Sequence, residues 1–220
     1  MKKHLFLAFI TGLTLSSCSK KSNPQPNAML NRVTINGTDY PMSQIGTQTW
    51  TTLNYNGAGG VNYNNVTGNL TGSGKLYTYA EAIAVQLPTG WRLPTQTDYN
   101  KLVSFIGGST DANGNGTASG TIAGKLVDPS WSYAYGDDSS NFEAFPFGYY
   151  DSTTSAFIGF DSTGTGGGAL FWASTTVPKN SMDYGFSISN YLINNTRTLV
   201  ASLNYYMPTD RCSLRFVKDN

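Results

Sequence analysis

The chain has 220 residues and a formal net charge of +1; 12% of its residues are charged and 13% aromatic, and it carries 24 glycines and 14 tyrosines. It has neither the basic footprint of a nucleic-acid binder nor a strongly acidic surface. Two cysteines and one histidine leave no basis for a disulfide framework or a cysteine–histidine metal cluster.

Met1-Lys2-Lys3-His4 precedes an apolar stretch from Leu5 to Leu15, followed by Ser16-Ser17-Cys18. A basic start, a short apolar run and small residues before a cut site make a secretory signal. The run is shorter than the roughly 20 residues of a membrane-spanning helix. Leu15-Ser16-Ser17-Cys18 resembles the bacterial lipobox. Residues 1–17 are therefore read as a lipoprotein signal peptide, with Cys18 as the acylated new N-terminus. Two or three acyl chains, at ~0.8 kcal/mol per buried CH₂, hold a protein on a membrane. Residues 18–32 are polar and include Pro24 and Pro26, the composition of a flexible tether. Lys20 and Lys21 stand where some lipoprotein-rich bacteria place acidic surface-export residues, which leaves the periplasmic or surface face open.

The remaining 188 residues, 33–220, suffice for one domain with its own core. Setting aside Lys2, Lys3, Lys20, Lys21 and Arg32 leaves 9 Lys and Arg against 13 Asp and Glu, a net of −4. Val33 to Tyr40 reads as strand, turn, strand, with Asn36-Gly37 a strong hairpin signal. Gln44 to Leu53 continues as strand, and the Gly- and Asn-rich Tyr55 to Ser73 reads as a surface loop. Leu76 to Val85 combines helix formers with apolar residues at helical spacing. Thr95 offers an N-cap with Asp98 three residues on. Tyr99, Leu102, Val103 and Ile106 then recur at i, i+3, i+4 and i+7 before Gly107-Gly108. Ser109 to Gly120 reads as a polar loop and Ile122 to Val127 as a short third helix.

From Phe142 onward the character changes. Short apolar runs at 145–150, 156–160, 169–173, 184–188, 198–202 and 213–217 are separated by turn residues. Helices early and strands late predict an α+β domain. Two main helices fall in the first half, and short antiparallel strands with long loops in the second.

Six segments occur in a fixed order: Gln48-Thr49-Trp50, Gly74 to Tyr77, Pro88 to Thr95, Phe142 to Tyr149, Phe171 to Thr175 and Ser213 to Asp219. Together they resemble the Fibrobacter succinogenes major paralogous domain, a family of exported bacterial proteins. The resemblance implies a C-type-lectin-like fold. It also makes Trp50, Gly90, Trp91, Arg92, Leu93, Pro94, Thr95, Trp172 and Arg215 the scaffold residues. Relatives commonly carry one Cys just before the Pro-x-Gly-Trp segment and another in the closing segment, where this chain has Leu87 and Phe216. If relatives join those cysteines, two apolar side chains in contact replace the bridge with roughly 1.5–3 kcal/mol of burial each. Leu87 and Phe216 are therefore expected to touch, leaving Cys212 as an inert thiol.

The chemistry-bearing residues are few. His4 is lost with the signal, so histidine catalysis and histidine metal ligation drop out, and Cys212 has no histidine to activate it. Asp137-Asp138 near Glu143, or Asp151 with Asp161, form possible carboxylate pairs whose ordinary reading is solvated loop acids. Residues 111–116 fit the opening of a calcium loop, but Ile122 stands where the twelfth position needs Glu, so a flexible turn is the better reading. Gly164 to Gly168 lacks the Lys-Ser/Thr of a phosphate loop.

Among the tryptophans, Trp131 lies in an aromatic-rich stretch and is the candidate sugar platform, with Tyr133 and Tyr135 beside it. Tyr149-Tyr150 and Tyr205-Tyr206 alternate faces if they lie on strands. Ser152 and Ser162 follow aspartates in a pattern resembling periplasmic O-glycosylation acceptors, with turn chemistry as the simpler reading.

These residues predict a non-enzymatic envelope lipoprotein without metal or cofactor, anchored by its acyl chains to the outer membrane of a Gram-negative bacterium. Its ligand is a glycan or a protein, not nucleic acid. The alternatives are a structural subunit of an envelope or adhesin assembly, and an enzyme on the formylglycine-generating scaffold. The run from Arg92 to Tyr99 resembles that scaffold, but its cysteine pair is missing.

Overall fold

Asn36 and Gly37 turn the chain back at φ +50° and +81°, the left-handed values that a tight two-residue hairpin requires. The computed structural model describes residues 31–66, 72–131, 136–160, 167–177, 182–193 and 196–220. Residues 31–220 form one unit; the signal, Cys18 and nearly all of the tether lie outside the described residues.

In chain order, β1 (Arg32–Ile35), β2 (Thr38–Ile45) and β3 (Gln48–Thr51) come first. Next are α1 (Tyr79–Ile83), α2 (Gln96–Phe105), β4 (Ser109–Thr110), β5 (Gly116–Ser119) and α3 (Gly120–Gly124). The remaining strands are β6 (Phe147–Asp151), β7 (Ala156–Phe160), β8 (Gly168–Val177), β9 (Met182–Ile193), β10 (Thr196–Tyr206) and β11 (Val217–Asp219). Two sheets result, with orders β1-β2-β3-β11 and β4-β5-β10-β9-β8-β6-β7. All pairings are antiparallel except β6 with β8.

The fold is thus mostly β, and the α+β, C-type-lectin-like expectation with two leading helices is overturned. Two physical effects account for it. Leu76 and Tyr77 are drawn into bridges with Val61 and Cys212, so the expected helix shrinks to the five residues of α1, started by the Thr78–Glu81 capping box. The trailing strands are long: β8, β9 and β10 have 10, 12 and 11 residues. They run on through Gly, Asp and Asn, which do not read as strand by composition. Tyr184, Phe186 and Ile188 on β9, with Leu199, Ala201 and Leu203 on β10, all enter one core. The presumed loop 109–120 is itself the β4–β5 hairpin, and the third helix spans Gly120–Gly124 rather than Ile122 to Val127.

β8 is buried on both faces, which explains its unbroken apolar run. Ala169, Phe171 and Ala173 point into a core shared with α2 and α3. Leu170 and Trp172 point into a second core with Val33, Tyr55, Tyr77 and Phe216. Leu87 packs on this second core.

The scaffold residues divide between packing and clamping. Gly90 holds φ +84°, and a Cβ there meets nothing, so the backbone angle alone calls for glycine. Trp91 and Leu93 are buried in the second core, and Lys218 lies 5.6 Å from the Trp91 ring. Arg92 exchanges two 3.0 Å backbone bonds with Val217. Its guanidinium also forks onto Asp98, the capping-box residue of α2, and onto Asp219 of β11 at 2.8 Å. Burial works to raise the Asp98 carboxyl, but donors from Arg92, Thr95 and Gln48 outweigh it and hold the group below the usual carboxylate range.

Arg215 is deeper still, at 1% exposure. It donates to Asn54 Oδ1 (2.6 Å) and to the carbonyls of Thr51, Phe142 and Glu143 (3.0, 3.0 and 2.9 Å). Burial pushes its guanidinium down to about 10. Replacing it with Met keeps the bulk but leaves those acceptors unpaired. Arg215→Met is expected to cost about 3–5 kcal/mol in urea unfolding, and a loss below about 1 kcal/mol contradicts that role.

Candidate functional site

β6 and β7 form the outer hairpin of the seven-stranded sheet, with β7 at its edge. Its turn is built by Asp151, whose Oδ1 accepts the N–H groups of Thr153 and Thr154 at 2.8 and 3.1 Å. In the ladder Tyr150 faces Phe157 and Tyr149 faces Ile158. Successive strand residues point to opposite faces. Tyr150 and Phe157 therefore line one depression, and Tyr149 and Ile158 another. The predicted alternation of the tyrosine pairs is present: Tyr149 packs on Tyr206 (6.1 Å), while Tyr205 packs on Tyr184 (4.6 Å).

The depression beside Tyr150 and Phe157 is a groove of about 400 Å³, within the size range of small-ligand sites. Its remaining walls are Val61, Asn65, Thr78, Thr209 and Arg211. The rings of Tyr150 and Tyr63 lie 5.0 and 5.2 Å from that of Phe157. Tyr150 and Arg211 exchange both backbone bonds at 2.9 Å, which fixes one wall to the closing segment. The Arg211 guanidinium donates to Glu81 Oε2 at 2.9 Å. Glu81 also accepts from Thr78 and from the Gly60 N–H. Burial opposes ionisation of Glu81, but these donors and Arg211 hold its carboxyl below the ordinary value. The groove therefore offers fixed aromatic rings, uncharged polar groups and one neutralised ion pair.

The residues singled out in the sequence fall elsewhere. Trp131 is 1% exposed in the first core, so it is no stacking platform; Tyr133 and Tyr135 lie outside the described residues. Trp50 and Trp172 are fully buried. Asp111 turns its carboxylate onto the N–H groups of Asn113 and Asn115 (2.8 and 2.9 Å), making 111–116 a self-capped turn. Among the described residues no cluster of three or more His, Cys, Asp or Glu is placed to hold a metal.

Ser152 bonds across the fold to Asp210 and Thr209 at 2.7 Å, while Asp161 and Ser162 lie outside the described residues. Cys212 is buried, and burial pushes its thiol well up. The sequence marked Tyr150 only as one of a face-alternating pair and did not point to Phe157, Asn65, Thr78, Thr209 or Arg211 as a site. The available signal was two strand runs flanking Asp151-Ser152-Thr153, which imply a hairpin pairing Tyr150 with Phe157.

Fold and site together define a mostly β, two-sheet domain with a mixed aromatic and polar groove on its edge hairpin. The chain belongs to the Fibrobacter succinogenes major domain family, whose family model matches residues 43–218. No curated protein and no solved structure matches it.

The acidic loop expected from Asp137, Asp138 and Glu143 has a measurable consequence. Asp138 Oδ1 accepts the Glu143 N–H at 2.8 Å. Burial, reinforced by the charges of Glu143 and Asp128, pushes its carboxyl up to about 6. A folded-state value above the unfolded one favours the protonated fold, so this stabilisation is full below about pH 4 and lost as pH rises through about 6. Asn keeps the acceptor and tolerates the +44° φ at this position. Asp138→Asn is expected to gain about 1 kcal/mol over the parent between pH 4 and 7, after allowance for solvent screening. Parallel stability curves for the two proteins across that window refute the assignment.

Proposed function

We propose that this protein is a lipid-anchored, non-enzymatic binding module of the cell envelope that engages a glycan or protein ligand through the β6–β7 groove. The observation carrying this reading is the groove itself. Its rings are held by strand register, its polar rim is uncharged apart from one closed ion pair, and it sits on an edge hairpin rather than in the core. Glu81, the carboxylate beside it, is committed to the helix cap and to Arg211, so it is not placed as a free general base. The basic start, the apolar run and Leu15-Ser16-Ser17-Cys18 support export and acylation at Cys18.

Two measurements test the reading. In detergent phase partition the parent protein should enter the detergent phase and Cys18→Ser the aqueous phase. Purified Cys18→Ser protein should bind isolated envelopes or extracellular matrix saturably. Adding Phe157→Ala should weaken that binding about fivefold or more without changing thermal stability. Equal binding by the two proteins removes the groove from the reading.

A further inference from the structure

We infer that the groove takes a neutral saccharide unit, its ring stacked on Phe157 and Tyr150 and its hydroxyls on the surrounding polar groups; this rests on the binding-module reading above. Charge comes first. Arg211 is the cation of the groove, and its guanidinium already pairs with Glu81. Nearby Asp210 is taken up by Ser152 and the Met207 N–H, and Asp151 by its own turn. The Arg211 Nη1 donates to Glu81, so an anionic ligand taking the remaining Arg211 donors would lie beside the Glu81 carboxylate, which also holds the α1 cap and the Gly60 N–H. A cation finds no uncommitted carboxylate among these groups.

Polarity comes next. Among the described residues, neither the Asn65 amide nor the Tyr150 hydroxyl has a hydrogen-bond partner within the protein, and Thr209 bonds only to Ser152. A purely apolar ligand covering these groups leaves them unpaired and is disfavoured. The ligand must therefore carry its own hydroxyls or amides.

The rings supply the remaining constraint. Tyr63 and Tyr150 bracket Phe157 at 5.2 and 5.0 Å, so the platform is ordered before any ligand arrives and little conformational entropy is lost on binding. A pyranose ring has an apolar C–H face and an equatorial rim of hydroxyls. That is the complement of a fixed aromatic wall beside neutral donors and acceptors. An extended peptide has no such face and would rely on backbone pairing along a strand.

The test uses the purified protein and, in separate calorimetric titrations, maltotriose, cellotriose, laminaritriose, mannotriose and anionic trigalacturonate. At least one neutral trisaccharide should bind saturably. Phe157→Ala should weaken it about tenfold or more, while Phe157→Tyr should stay within about threefold of the parent. Tyr150→Phe, which keeps the ring and removes the hydroxyl, should fall between them. The inference is overturned if no neutral trisaccharide binds, if Phe157→Ala binds as well as the parent, or if trigalacturonate binds best. If envelope binding depends on Phe157 yet no trisaccharide binds or competes, the saccharide inference fails and the binding-module reading stands, with a protein as the ligand.

Discussion

The structure depends most on the hydrogen bonds of one buried guanidinium. Arg215 precedes the closing strand and reaches the end of β3 through Thr51, the segment after it through Asn54, and the 140s loop through Phe142 and Glu143. Among the described residues no carboxylate lies within salt-bridge range of it. Its charge is instead spread over carbonyl dipoles and over the faces of Phe142 and Phe171, at 5.2 and 5.6 Å. A lysine offers three donors from one point and cannot reach acceptors arranged around a plane. The loop it holds needs this support, because Asp138, Asn141 and Glu143 all adopt positive φ. Such conformations are costly outside glycine and persist where surrounding contacts over-determine them.

A second clamp repeats this logic nearer the surface. Arg92 gathers the N-terminus of α2 and the end of β11 into one network through Asp98 and Asp219, and Gln48 donates to both carboxylates. Segments 171 residues apart in sequence are thereby fixed together. Much of this was legible in the chain. Thr95 with Asp98 announced a capping box, which both hydrogen bonds realise, and the apolar spacing that followed gave α2. Asn36-Gly37 gave the first hairpin. What the sequence did not carry was the partner of Arg92, since Asp219 lies beyond any local pattern.

The differences between sequence and structure have separate physical causes. β9 and β10 turn alternate apolar residues into the first core, and the positions between them include Asp183, Gly185, Ser187, Ser202 and Asn204. Composition then counts half of each strand as loop. The helix at 76–85 was misjudged for the opposite reason: its residues suit a helix, but tertiary pairing of Leu76 and Tyr77 claims the first turn. Trp131 was misplaced because aromatic density along the chain does not distinguish a surface platform from a core anchor. At 1% exposure it belongs to the same core as Phe142 and Leu126, a grouping that no local window reveals.

The groove escaped sequence reading because its walls come from four separate stretches, brought together by the β6–β7 ladder and the return of the chain at Arg211. This construction also separates recognition from stability. The backbones of Tyr150 and Arg211 are locked to each other, and Val61 is locked to Leu76, whereas Asn65 and Phe157 contribute chiefly side chains at an exposed edge. A substitution at those two positions changes which ligand fits while disturbing few buried contacts. A substitution at Arg215 or Asp98 disturbs the frame that positions the rings. Binding residues on an edge hairpin and buried donors in the core therefore answer to different constraints, the first to ligand chemistry and the second to the pairing of every buried polar group.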